Sequence, residues 1–204
     1  SIMQANKYKK GLLLVGDTMS KTIKSSDKIN KLLFGDSGSA TALSHGINNK
    51  MYFIMGSEGK GSKNLMLKKS GFRDKKFNPE FYMDGKEVFY FAVKNVPKLI
   101  KELFKFSKTN INNISFFVFH QANKFMLNKI AENIGIADKK LLFSIKNYGN
   151  TSSASIPTTI CHEKEKINKS KIKDIIIAGF GAGFSFGAAT INLSKTKLLK
   201  IKKI

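Results

Sequence analysis

Three polar turns carry the side chains best placed for chemistry. The first is Phe119-His120-Gln121-Ala122-Asn123, which holds one of the chain's three histidines. Before it, Ile114 to Phe119 is a continuous apolar run that reads as a buried strand. After it, Phe125, Met126, Ile130 and Ile134 recur at helical spacing, and Gly135 stops the pattern. The second turn is Asn147-Tyr148-Gly149-Asn150-Thr151-Ser152, at the same kind of junction one unit later. The third is Gly179-Phe180-Gly181-Ala182-Gly183, which follows the apolar run at Ile175. Ligands of α/β folds collect at the carboxyl ends of strands, so these turns are expected to converge on one site. A single histidine at a junction is more often a satisfied core residue; the two companion turns favour a functional one.

The elements that must hold these turns alternate. Ser1 to Tyr8 reads as the tail of a helix, Lys10 to Gly16 as a buried strand, and Lys21 to Lys31 as a polar loop. Leu32 to Leu43 reads as a glycine-rich turn leading into a strand, and residues 46 to 82 as an irregular connector. Within it, Gly56-Ser57-Glu58-Gly59-Lys60-Gly61 invites a phosphate-loop reading. The motif needs Ser or Thr after Gly-Lys, and Gly61 stands there, so a plain turn is the better account. Val88, Phe91, Ala92, Val96, Leu99 and Leu103 give one face of a helix from Lys86 to Ser107. Then follow a strand 114–119, a helix 121–134, a strand 141–145, a helix 152–164 and two strands around the glycine turn. This order predicts a layered α/β domain. The basic tail 195–204 is expected to fray.

Composition narrows the function classes. The net charge of +22 suggests an acidic partner or nucleic acid. Yet Arg73 is the one arginine among 36 basic residues, and the lysines are spread along the chain. Phosphate and base readers favour the arginine fork, so generic surface lysine is preferred to nucleic-acid binding. The single Cys161 excludes an intramolecular disulfide and a cysteine metal cluster; neither metal nor cofactor is expected. Ile175 to Leu193 is uncharged over 19 residues, long enough to span a bilayer. Ser185, Thr190, Asn192 and the alternating Phe184 and Phe186 favour a hairpin instead, with no membrane span and a cytoplasmic location.

The turns, taken with two further stretches, resemble the β-ketoacyl-acyl-carrier-protein synthase III family of thiolase-like condensing enzymes. His120-Gln121-Ala122-Asn123 looks like the family's histidine motif, Tyr148 to Pro157 like its asparagine motif, and Gly179 to Gly187 like its carboxyl-terminal glycine loop. Leu33 to Ala40 and Met83 to Phe89 also match. The resemblance implies a layered α/β thiolase-like fold of two similar halves, with the C-terminal half complete and the N-terminal half truncated. Residues 1–45 would be a remnant of the N-terminal half, 46–85 a connector, 86–194 the C-terminal half and 195–204 a basic tail. The family's nucleophilic cysteine would lie roughly ten residues before the position of Ser1, at a helix start that favours thiolate. Cys161 falls inside the helix after the asparagine motif and reads as a small buried hydrophobe.

The activity implied is decarboxylative Claisen condensation of acyl-CoA with malonyl-acyl-carrier protein, in fatty-acid or related acyl-chain synthesis. By the same resemblance, His120 and Asn150 donate hydrogen bonds to the thioester oxygen where charge develops. The Ala182 backbone N–H forms part of a second oxyanion site, and Asn123 either touches the pantetheine arm or caps its helix. The family often has an arginine at the position of Phe125; Lys124 or Lys129 would take its place against the carrier protein. A homodimer, a complementary N-terminal half and an inability of this chain alone to form an acyl-enzyme are further expectations. The rival reading is a non-catalytic remnant or a lysine-rich module binding carrier protein or nucleic acid.

Overall fold

The computed structural model describes residues 2–44, 50–69 and 79–203. Part of the expected connector, with Gly46, Gly71 and Arg73, lies outside the described residues, as do the ends of the chain.

The amino-terminal part is a two-stranded ribbon. A short helix α1 (Ile2–Ala5) leads to β1 (Lys10–Asp17), which pairs antiparallel with β2 (Ser37–Ser44), Asp17 opposite Ser37. The expected polar loop between them contains helix α2 (Lys28–Leu33). Asp27 caps it, accepting from the Asn30 backbone N–H at 3.0 Å, a local bond that charged sequences readily exploit. A second expectation also fails here. β1 is a strand but not a buried one: Leu12 and Leu14 are 64% and 67% exposed. No layer of the described residues covers that face.

The main sheet has the order β3-β8-β7-β6. Its strands are β3 (Phe53–Ser57), β6 (Phe116–Phe119), β7 (Asp174–Gly181) and β8 (Ser185–Asn192). β6 runs parallel to β7, and β7 and β8 form the antiparallel hairpin expected around the glycine turn. β3 pairs antiparallel with β8, so the expected irregular connector supplies an edge strand of the sheet. The connector also supplies β4 (Leu65–Lys68) and β5 (Glu80–Met83), paired antiparallel. Gly59–Asn64 is a 3-10 turn, in keeping with the rejected phosphate loop. A Cβ on Gly61 would lie 2.2 Å from the Phe184 ring, which accounts for the glycine there.

Both faces of the sheet are covered, which explains the unbroken apolar run of β6. Phe117 and Phe119 face helices α3 (Gly85–Ser107) and α4 (Lys124–Ile134), while Phe116 and Val118 join Ile167, Ile156 and Ile160 on the other side. Asp84 caps α3 by accepting from the backbone N–H groups of Lys86 and Glu87. The strand expected at 141–145 shrinks to one parallel bridge, Leu141 with Phe117. The buried Gln121 side chain takes the next backbone groups: its Oε1 accepts from Ser144 N–H, and its Nε2 donates to the Leu142 carbonyl. Helix α5 (Ile145–Tyr148) then begins.

The expected helix 152–164 is a 3-10 turn followed by α6 (Ser155–His162), and α7 (Lys164–Lys169) continues beyond it. The tail does not simply fray. Leu198 packs against the second apolar cluster, and the Leu199 backbone N–H faces the Cys161 thiol. Among the described residues, no helix is long and apolar enough to cross a membrane.

Candidate active site

The polar turns meet at one cavity of about 1020 Å³, lined by His120, Asn123, Asn150 and Ala182. His120 sits just past β6, its backbone N–H donating to the Ala178 carbonyl at 2.8 Å, so the main sheet fixes its position. Nδ1 lies 2.7 Å from the Ser155 hydroxyl, and the ring meets Phe180 edge-on at 5.3 Å. Burial lowers the His120 pKa to about 4, while the Ser152 carbonyl works in the opposite direction. The imidazole is therefore neutral at pH 7, with one N–H to give.

Asn150 is held by both ends of its backbone. Its N–H donates to the Leu33 carbonyl at 2.8 Å, and its carbonyl accepts from Gly35 N–H at 3.0 Å. Such an approach requires glycines. A Cβ on Gly35 would lie 2.1 Å from the Tyr148 carbonyl oxygen, and Gly149 has φ +67° with the Leu33 carbonyl close by. The side-chain Oδ1 accepts from Ser152 N–H at 2.9 Å. That bond identifies the oxygen and leaves the amide NH2 as the group available to the cavity. Ser152 adopts φ 49°, a left-handed conformation unusual for a non-glycine residue, at the turn beside both His120 and Asn150. Asp17, at the end of β1, accepts from Ser153 N–H at 3.0 Å and from its hydroxyl at 2.5 Å.

Ala182 lies in the turn between β7 and β8, with Gly179 and Gly181 beside it on the cavity wall. Asn123 caps α4, its Oδ1 accepting from Met126 N–H at 2.8 Å, and it also lines the cavity. Lys124 and Lys129 stand outside the cavity lining. Lys124 is exposed, 5.9 Å from the Phe143 ring, and Lys129 pairs with Glu132 at 2.9 Å. Beside them Phe125 is 71% exposed and stacked on Phe89 at 5.5 Å. Cys161 is half-buried and away from the cavity. Burial raises its thiol pKa, against weaker opposing effects of Leu199 N–H and Lys164. No group of three or more potential metal ligands occurs among the described residues.

Sequence reasoning missed several of these residues. Ser155 belongs to the asparagine stretch, yet nothing in the linear sequence ties it to His120, 35 positions earlier. Asp17 meets Ser153 across 136 positions. Met19, Met55, Met66, Met83 and Met126 all line the cavity, giving it a soft, adaptable apolar wall.

The family profile described as 3-oxoacyl-[acyl-carrier-protein (ACP)] synthase III C terminal matches residues 104–193. The profile described as 3-oxoacyl-[acyl-carrier-protein (ACP)] synthase III matches residues 1–60. The β-ketoacyl-[acyl-carrier-protein] synthase III of Prochlorococcus marinus subsp. pastoris is 34% identical over 203 residues, 93% of this chain and 60% of that protein. That of Porphyra umbilicalis is 35% identical over 202 residues, 93% of this chain and 61% of its own. Among solved structures, a 3-oxoacyl-(acyl-carrier protein) synthase from Burkholderia xenovorans LB400 has a TM-score of 0.85 at 36% identity, covering 94% of this chain and 58% of that one. The chain thus spans about 60% of the length of these relatives. The layered α/β architecture is that of the thiolase-like condensing enzymes. Within that class, the chain belongs to the 3-oxoacyl-acyl-carrier-protein synthase III family.

Proposed function

We propose that this chain carries the decarboxylation half of a condensing site, acting on a malonyl thioester of an acyl-carrier protein. The observation that supports it is the pair of neutral donors at one cavity, the His120 imidazole and the Asn150 amide NH2. When the carboxyl C–C bond of a malonyl thioester breaks, carbon dioxide leaves and the electron pair moves to the thioester as an enolate. Two N–H donors aimed at that oxygen stabilise the charge as it forms. Their neutrality matters: a cation beside the departing carboxylate would stabilise the starting state and oppose the loss. The carbanion then attacks an acyl thioester, whose sulfur leaves. Ala182 N–H contributes to the second oxyanion site, Asn123 holds the pantetheine arm, and Lys124 and Lys129 face the carrier protein.

The acyl group of the family reaction, taken from acyl-CoA, rides on a cysteine thiolate. Cys161 does not fill that role, because its thiol is held protonated and outside the cavity. On this reading the 204 residues decarboxylate a malonyl thioester but do not condense alone. The test is release of carbon dioxide from malonyl-carrier protein by the chain and by its H120A and N150A variants. Losing one donor is expected to slow release by about 100-fold or more. Equal rates in all three proteins would overturn the donor pair.

A further inference from the structure

Ser155 is 1% exposed, and its hydroxyl faces Nδ1 of His120 at 2.7 Å. A neighbouring chain of buried groups meets Ser155 through its backbone carbonyl and leaves that hydroxyl out. Thr159 Oγ1 donates to the Ser155 carbonyl at 2.8 Å, which uses the one hydroxyl proton of Thr159. Ser144 Oγ, 2.7 Å from Thr159 Oγ1, must then be the donor between those two. Ser144 N–H in turn donates to Gln121 Oε1, and Gln121 Nε2 donates to the Phe119 carbonyl just before His120. The network thus runs between the Ser155 and Phe119 carbonyls, and the Ser155 hydroxyl stands outside it. Ser155 has one hydroxyl proton as well, and Nδ1 is the hydrogen-bond partner the structure gives it. Were the proton of the ring on Nδ1, the buried Ser155 hydroxyl would keep a proton with no acceptor, a costly arrangement.

We propose that Ser155 is a positioning residue whose hydroxyl donates to Nδ1 of His120 and so holds the ring proton on Nε2. The lowered pKa of His120 agrees with a neutral ring that has a single proton to place. The catalytic meaning of that proton rests on the donor-pair reading above; the tautomer itself does not.

The test is long-range proton–nitrogen correlation spectroscopy of the 15N-labelled full chain at pH 7, which distinguishes a protonated from a bare ring nitrogen. The chain has three histidines, and H45Q and H162Q variants assign the His120 signals. Wild type is expected to carry its proton on Nε2. S155A, judged folded by its amide spectrum, is expected to raise the Nδ1–H to Nε2–H ratio by about tenfold, the effect of losing one buried hydrogen bond. S155T, which keeps the hydroxyl, is expected to restore the wild-type ratio. A wild-type proton on Nδ1 overturns the proposal, and that result needs no variant to fold. An unchanged ratio in folded S155A overturns it as well. A chain that shows the expected tautomer yet releases no carbon dioxide would instead count against the decarboxylation reading alone.

Discussion

Asn150 donates its backbone N–H to the carbonyl of Leu33 at 2.8 Å, across 117 residues of sequence. The residue whose amide lines the cavity is thus held in place by the end of helix α2. The amino-terminal ribbon contributes to the site through backbone as well as through Asp17.

That clamp predicts a large effect at Gly35. A methyl group there collides with the Tyr148 carbonyl oxygen, which is backbone and cannot swing aside. Gly35→Ala is expected to destabilise the chain by about 2–3 kcal/mol or more, read from urea unfolding midpoints. Gly85→Ala is the control, because its Cβ would meet nothing within 4 Å. Equal midpoints for both variants would mean the clamp is not as described.

Acid should weaken the fold in two separable windows. The His120 pKa is lowered from 6.5 to about 4, so the unfolded chain binds the proton first. The stability linked to its neutral state is complete above pH 6.5 and is lost as pH falls toward 4. Burial acts to raise the Asp17 pKa, but the hydrogen bonds from the Ser153 hydroxyl and N–H, with the Ser152 hydroxyl, leave it below 3.8. Its contribution is present above that unfolded value and is lost as pH falls through the folded one. Thermal midpoints against pH should flatten between 6.5 and 4 in H120Q, and below about 4 in D17N. Parallel curves for wild type and variants would contradict this assignment.

Cys161 should behave as an inert thiol. At pH 7 its alkylation by iodoacetamide is expected to be at least about tenfold slower than in the urea-unfolded chain, since thiolate is the reactive form. Incubation with acyl-CoA should leave the intact mass unchanged. An acyl adduct mapped to Cys161 would show a reactive thiol where the structure places a protonated one.

The exposed leucines of β1 should matter for association rather than for folding. Leu12→Thr and Leu14→Thr are expected to alter stability by less than about 0.5 kcal/mol, whereas Leu127→Ala, fully buried, should cost about 2–5 kcal/mol. Light scattering of concentrated chain should fall in the double threonine variant, because a contiguous apolar face invites self-association. Denaturation midpoints and scattering together separate the two effects.

The sequence by itself determined the elements whose signals are local. The strand Phe116–Phe119 is apolar at every position because helices cover both faces of its sheet. The helix expected from Lys86 to Ser107 shows its buried stripe, and the last two strands announce themselves through alternation around a glycine turn. It also marked the turns that hold His120, Asn150 and Ala182, since turns after strands are few, and the family resemblance singled out Asn123 and Ala182 within them. Only the tertiary structure decided the rest. A leucine run at 12–14 looks the same whether or not a layer lies over it, so the exposure of β1 was invisible. The edge strand at 53–57 is too short for a period, and its pairing comes from β8. The strand expected at 141–145 was lost to one glutamine side chain. The partners that orient the site — Leu33 for Asn150, Ser155 for His120, Asp17 for Ser153 — are fixed by distances across the folded chain, and hydrogen-bond geometry at that range leaves no trace in residue order.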